Sequence, residues 1–205
     1  MRTNKVSATD IKKFWNWFVQ NCQNFGDNFE NNTLIDELDR WVKRLGNFSW
    51  EIGPGIKKEN LFVISPNGNL QLLPETKNII DNSRKCDGWE YYYAKPAKNW
   101  NPIFEYENSD GENVRIDASS WKYILLKYND GMFTVIIQAP QLNQMQDDDK
   151  LMVAEILLDG ILGEEIRMLK ISNIEIVNDF DLQYKGKESE IVNLGDHINK
   201  MIRDN

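Results

Sequence analysis

At 205 residues, with 41% hydrophobic and 11% aromatic content, the chain has the size of one domain, or of one domain with an appendage, and too much large apolar side chain to stay disordered. Twenty-four Lys and Arg against 32 Asp and Glu give a formal charge of −8. That balance lacks the basic footprint that nonspecific nucleic-acid or anionic-membrane binding needs, and no window approaches the ~18 uninterrupted apolar residues of a membrane span.

The amino terminus, Met-Arg-Thr-Asn-Lys-Val-Ser, carries charge without a following apolar run of signal-peptide length. Ser7 and Asp10 are spaced as a capping box, and Ile11, Phe14, Trp15, Phe18, Val19 and Cys22 follow at helical spacing up to Gly26. A second helix opens near Thr33, with the stripe Leu34, Ile35, Leu38, Trp41, Val42 and Leu45, and Gly46 at its end. The two helices read as an αα-hairpin whose apolar faces must cover something else. Cys22 and Cys86 are too few for a disulfide framework and too far apart for a zinc site, so two buried, reduced thiols in a cytoplasmic protein are expected.

From residue 47 the pattern becomes β-rich. Phe48–Gly53 and Leu61–Ser65 read as strands, Pro74–Arg84 as a helix with Pro in its first turn, and the aromatic run Trp89–Lys95 as a strand. Ile103–Glu107 and Val114–Asp117 flank the turn Ser109-Asp110-Gly111, and Trp121–Tyr128 and Met132–Ala139 flank Asn129-Asp130-Gly131. A helix runs from about Lys150 to Leu162, with Asp147, Asp148 and Asp149 at its start and Gly163 beyond its end. Ile174–Asn178 is a short strand, Asp181–Glu190 a charged linker, and Asn193 and Asp196 open a last helix.

The expected fold class is α+β. Two ββαβ units, 47–97 and 119–180, are read as duplicated and as forming a mostly antiparallel, ferredoxin-like sheet. The helical hairpin 1–46 packs on the main domain 47–205, a β-hairpin 100–118 joins the repeats, and a short helix 193–203 closes the chain. Both alternating sets of Trp121–Tyr128 and Met132–Ala139 are apolar, so both faces of that strand pair call for cover, one by the repeat helices and part of the other by the amino-terminal hairpin or by a second copy of the chain.

Leu157-Leu158-Asp159-Gly160-Ile161-Leu162-Gly163-Glu164-Glu165, a helix ending in Leu-Gly-Glu before an Ile/Glu-rich strand, is similar to a stretch in bacterial domains allied to the RraB-like regulators of ribonuclease E. The resemblance spans a small part of the chain. It implies a ferredoxin-like α+β fold and a tendency toward protein binding, and it carries over no catalytic residue. The amino-terminal hairpin and the inserted strand pair depart from that pattern.

His197 is the one histidine, so a Ser–His or Cys–His pair has a single candidate base, and its place beside an apolar stripe reads as a boundary position. Gly53-Pro54-Gly55 and Asn67-Gly68 are turn chemistry, too short for a phosphate loop. Asp147, Asp148 and Asp149 cannot all face one ion and suit the positive end of a helix. Asp159 with Glu164 and Glu165 could hold magnesium or calcium through oxygen and support a metal-assisted hydrolase. Trp89, Glu90, Tyr92 and Trp100 join aromatic rings to charge in the manner of interface anchors, with core packing the preferred reading of Trp89 and packing an open alternative for Tyr92 and Trp100. The leading expectation is a non-catalytic interaction module, regulatory or immunity-type, that needs no cofactor and presents an acidic, aromatic surface to a basic protein partner or to a second copy of itself.

Overall fold

The computed structural model describes residues 5–203. Residues 1–4, on which part of the amino-terminal charge reading rests, lie outside them. The fold is α+β, with six helices and three sheets among the described residues. The chain divides into two compact units on either side of the Lys95–Pro96 bond. The sequence pattern placed the division after Gly46, but the helical hairpin and the strands that follow it share one core, and a cut there would split it.

In the first unit, α1 (Ala8–Asn21) and α2 (Asn32–Leu45) form the expected hairpin, and β1 (Ser49–Pro54), β2 (Asn60–Ser65), α3 (Leu73–Asp81) and β3 (Trp89–Tyr92) follow. Ser7 begins α1, but its side chain makes no capping bond; its carbonyl accepts from Asp10 and Ile11. At α2 the capping is done by Asn31, whose side chain accepts from the Leu34 amide at 3.3 Å. β1 and β2 are antiparallel, and α3 carries the chain over to β3, which lies parallel to β2. Period-two alternation puts Trp50, Ile52, Phe62, Ile64, Trp89 and Tyr91 on one face. That face packs against Phe14, Trp15 and Phe18 of α1, Leu38 and Val42 of α2, and Ile79 of α3. The rings of Phe18 and Phe62 stack at 5.0 Å, and Trp89 meets Phe18 edge-on at 5.1 Å.

In the second unit, β4 (Ile103–Glu107) and β5 (Asn113–Asp117) pair only with each other. A four-stranded sheet has the order β8-β7-β6-β9, built from β6 (Lys122–Lys127), β7 (Phe133–Gln138), β8 (Ile171–Val177) and the two-residue β9 (Ser189–Glu190). β6 and β7 are antiparallel, and α4 (Asp147–Leu162) with α5 (Glu164–Lys170) bridges to β8, parallel to β7. Tyr123, Val135 and Ile137 face Val153, Leu157 and Leu158 of α4 together with Leu194 and Ile198 of α6 (Leu194–Arg203). Tyr106 and Ile116 bring the β4–β5 pair into the same core. The alternate side chains Ile124 and Ile136 are buried too, so both faces of the β6–β7 pair are covered.

Four of the six strand pairings are antiparallel, but the strands do not form one sheet. Hydrogen bonding closes separately within 49–92, 103–117 and 122–190. Three further departures are local. The break at Gly163 is a joint between two helices, since its φ of 81° turns the chain and lets α5 begin at Glu164. Part of the charged linker, Ser189–Glu190, becomes the edge strand β9 against Lys122 and Tyr123. At the carboxyl end, Asn193 belongs to a 3-10 turn (Ile191–Asn193) that leads into α6.

Candidate functional site

The aromatic candidates fall in both units. Trp89 is 1% exposed, and its indole donates to the carbonyl of Cys22 at 3.0 Å, so it is a core residue and offers no ring to a partner. Glu90 and Tyr92 occupy the opposite face of β3 from Trp89. The Glu90 carboxylate accepts from the backbone N–H groups of Ile56 and Lys57, the latter at 3.0 Å, and so ties down the turn that links β1 to β2. Burial raises its pKa, but those two amides outweigh it and hold the carboxyl below the ordinary range. The Tyr92 phenol is pushed up by burial and then by the charge and hydrogen bond of Glu90. Both residues are half-buried parts of a turn anchor.

Trp100 belongs to the second unit. Its ring packs on Phe104 at 5.6 Å, and the Lys98 ammonium lies 5.8 Å from its centroid. The loop is fastened to α4 by the Lys98 amide, which donates to the Gly160 carbonyl at 2.7 Å. Gly160 is required there. A β-carbon would lie 3.0 Å from Trp100 Nε1 and closer still to two ring carbons. Trp100 Nε1 is buried without a hydrogen-bond partner. The indole also forms a wall of an open cavity of about 310 Å³, with Lys98, Asn99, Asp196 and Asn199 around it. Of the four aromatic and acidic candidates, Trp100 alone borders such a cavity among those described.

The acidic candidates resolve differently. Asp159 is buried, and the Arg167 guanidinium of α5 grips it through Nε to Oδ1, with Nη2 at 3.5 Å from Oδ2. Arg167 Nη1 donates to Glu155 at 2.9 Å, and the fully buried Glu164 adds its charge nearby. Burial works against the guanidinium's charge; the Asp159 bond and the charges of Asp159, Glu155 and Glu164 overcome it and raise its pKa. Asp159, Glu164 and Glu165 therefore do not form the metal site that their spacing suggests. A protein cation takes the place of the ion, and among the described residues no group of three or more His, Cys, Asp or Glu is disposed around a metal position.

Asp147, Asp148 and Asp149 all lie inside the first turn of α4, where their charge suits the helix dipole, but the helix begins after Gln146 and no side chain caps it. Asp149 instead accepts from the Ser109 amide and hydroxyl, both at 3.1 Å, and clasps the tip of the β4–β5 hairpin to the helix. Asp147 pairs with Lys150 at 2.9 Å, and that bond lowers its pKa. His197 Nδ1 lies 2.8 Å from the Tyr123 hydroxyl.

The expectation of two reduced thiols is corrected. Cys22, just past α1, and Cys86, before β3, form a disulfide with Cα atoms 6.8 Å apart across a sequence separation of 64. Two cysteines in different elements gave no sequence cue to that pairing. Arg167 was missed as well, although Glu155 and Asp159 at i,i+4 form a like-charge pair on one helix face that calls for a cation.

Charge separates sharply between the units. Residues 1–95 carry 13 Lys and Arg against 12 Asp and Glu, while 96–205 carry 11 against 20, a charge of −9. On the β4–β5 pair, Tyr106 and Ile116 point to the core while Glu105, Glu107 and Asp117 are exposed. The Ser109–Asp149 clasp brings the tip residues Asp110 and Glu112 to the end of α4 that bears Asp147 and Asp148. No helix among the described residues is long and apolar enough to cross a membrane. No family model matches the chain, and no significant match to it is found among curated proteins or solved structures.

Proposed function

We propose that the chain is a non-catalytic interaction module whose second unit docks a basic protein. The observation that carries this reading is the segregation of charge: the whole net negative charge resides in residues 96–205. Like-signed carboxylates along the hairpin and the start of α4 set up a field that steers a cationic partner and fixes its register. Trp100, at a cavity of the same unit, supplies the aromatic anchor. The groups that nucleophilic catalysis would use are committed elsewhere: His197 to Tyr123, both cysteines to each other, Asp159 to Arg167.

We also read the two strand–strand–helix–strand runs as two uses of one ferredoxin-like design, and the helix end at 157–165 as kin to the RraB-like regulators. Each run has an antiparallel pair followed by a crossover to a parallel strand, which supports that reading. A regulatory or immunity-type role is proposed with it, on the net charge of the chain and the apolar faces of β6 and β7. We propose a cytoplasmic site as well, and the Cys22–Cys86 bond, of a kind that persists mainly in oxidising compartments, is what puts it to the test. The alkylation state of the two cysteines in freshly opened cells decides that point.

The test of docking is a pull-down from native lysate with the intact chain and with the variant E105Q/E107Q/D110N/E112Q. A stoichiometric basic partner, released by salt at about 0.5 M and lost in the variant, is the expected result. Recovery of no such partner, or equal recovery by both chains, refutes the reading. Sedimentation of the isolated chain tells whether a second copy takes the partner's place.

A further inference from the structure

We propose that a cavity in the first unit, between α1 and α3, binds a small organic anion with an apolar body. The cavity holds about 340 Å³, which lies at the small end of the range for ligand pockets, about 300–1,000 Å³. Its rim carries two cations, Lys12 and Arg84, and two carboxamides, Asn78 and Asn82; its floor is Ile11 and Trp15. No carboxylate lines it. Among the described residues neither Lys12 nor Arg84 belongs to an ion pair, in a chain whose acidic residues outnumber its basic ones by 32 to 24. Two cations without counter-charges around one concave, partly apolar surface are suited to an anionic ligand.

The geometry favours a ready-made site. Arg84 donates through Nη1 to the Asn16 side chain on α1, so its guanidinium is held at the rim. Asn82 donates to the Asn78 carbonyl at 2.8 Å, which fixes the α3 side. The Trp15 indole donates to the Ile79 carbonyl at 2.8 Å, so its N–H is spent and only apolar ring surface remains for the floor. Apart from the exposed Lys12 side chain, little ordering is then left for binding to impose. The pattern selects a carboxylate or phosphate monoester at the rim, with a planar or aliphatic group laid on Ile11 and Trp15. This site stands on residues of the first unit alone and is independent of the acidic docking surface.

The probes are benzoate and phenyl phosphate, with benzyl alcohol as the neutral control, each titrated into the full chain and followed by calorimetry and by amide NMR shifts. At least one anion is expected to bind, to shift the amides of Ile11, Lys12, Asn78 and Asn82, and to exceed benzyl alcohol in affinity by about tenfold or more. The K12Q/R84Q variant alters exposed side chains only and should melt as the parent does while losing about tenfold in affinity. Whichever anion binds more tightly separates a carboxylate from a phosphate ligand. The proposal is overturned if neither anion moves those amides at about 10 mM, if the alcohol binds equally well, or if K12Q/R84Q keeps the parent affinity.

Discussion

Replacing Arg167 by Met tests the reading of the acidic helix end most directly. The guanidinium side chain is 8% exposed and Asp159's is 10%, so the pair is shielded from water, while Glu155, at 41%, is half in solvent. Methionine fills much of the same volume but leaves Asp159 and the fully buried Glu164 without the cation that neutralises them. Removing one member of a buried pair destabilises by about 3–5 kcal/mol, a factor of about 150 to several thousand in the folding equilibrium. The Glu155 contact adds less than about 1 kcal/mol, because that carboxylate is exposed. Arg167→Met combined with Asp159→Leu should recover a large share of the loss, since an apolar pair is well tolerated where a lone buried charge is not. Hydrogen exchange of the α4 and β7 amides under graded urea reads the second unit without averaging in the first. A loss below about 1 kcal/mol in R167M, or a double variant no more stable than R167M, would mean that the carboxylates are solvated or paired in another way, and the reasoning would fail.

Further outcomes are expected in both units. Reducing Cys22–Cys86, or replacing both by Ala, should lower the stability of the first unit by about 4 kcal/mol, from the entropy of a loop closed across 64 residues, as read by urea denaturation with and without reductant. Gly160→Ala should destabilise by about 1–3 kcal/mol despite the better helix former, and adding Trp100→Leu should restore most of that in a thermal melt. Asp149→Ala strips two hydrogen bonds from Ser109 and should raise amide exchange at 108–112 several-fold, at a cost of about 1–3 kcal/mol. Two pH dependences belong to the first unit. The lowered Glu90 pKa means that its contribution is present above the ordinary carboxylate value of 4.5 and is lost as pH falls through the lower folded value, so Glu90→Gln flattens the acid limb of the stability curve. Tyr91, pushed up to about 12 by burial, keeps its proton late; stability falls as pH rises from 10 through 12, and Tyr91→Phe removes that part of the alkaline loss.

Elements with a regular apolar pattern were legible from the chain alone. α1 and α2 carry apolar stripes at helical spacing, and β6 and β7 are apolar on both sides around an Asn-Asp-Gly turn. What stayed hidden depends on partners distant in sequence. α5 presents Glu164 and Arg167 to the interior, so its buried face is charged, and a hydrophobic-periodicity reading passes over it. Asp149 looks like a helix cap until Ser109, 40 residues upstream, is brought to it. The grouping of strands into three sheets is likewise decided by which edges meet, and alternation within a strand carries no record of its neighbour. Trp100 stands out in a loop without amphipathic order, but its fit against Gly160, 60 residues downstream, leaves no trace in the local pattern.

The Cys22–Cys86 bond turns most of the first unit into a covalent ring, with an α1-bearing arm and a carboxyl-terminal arm leaving it at the backbones of the two cysteines. A single protease cut between residues 23 and 85 opens the ring but frees no fragment, so the molecule migrates as one species on a denaturing gel until reductant is added. A cut near the Lys95–Pro96 boundary yields the acidic half as a separate band on the same gel without reductant. Under attack by a protease, the two halves of this chain therefore have different fates, fixed by one bond that the second half does not share.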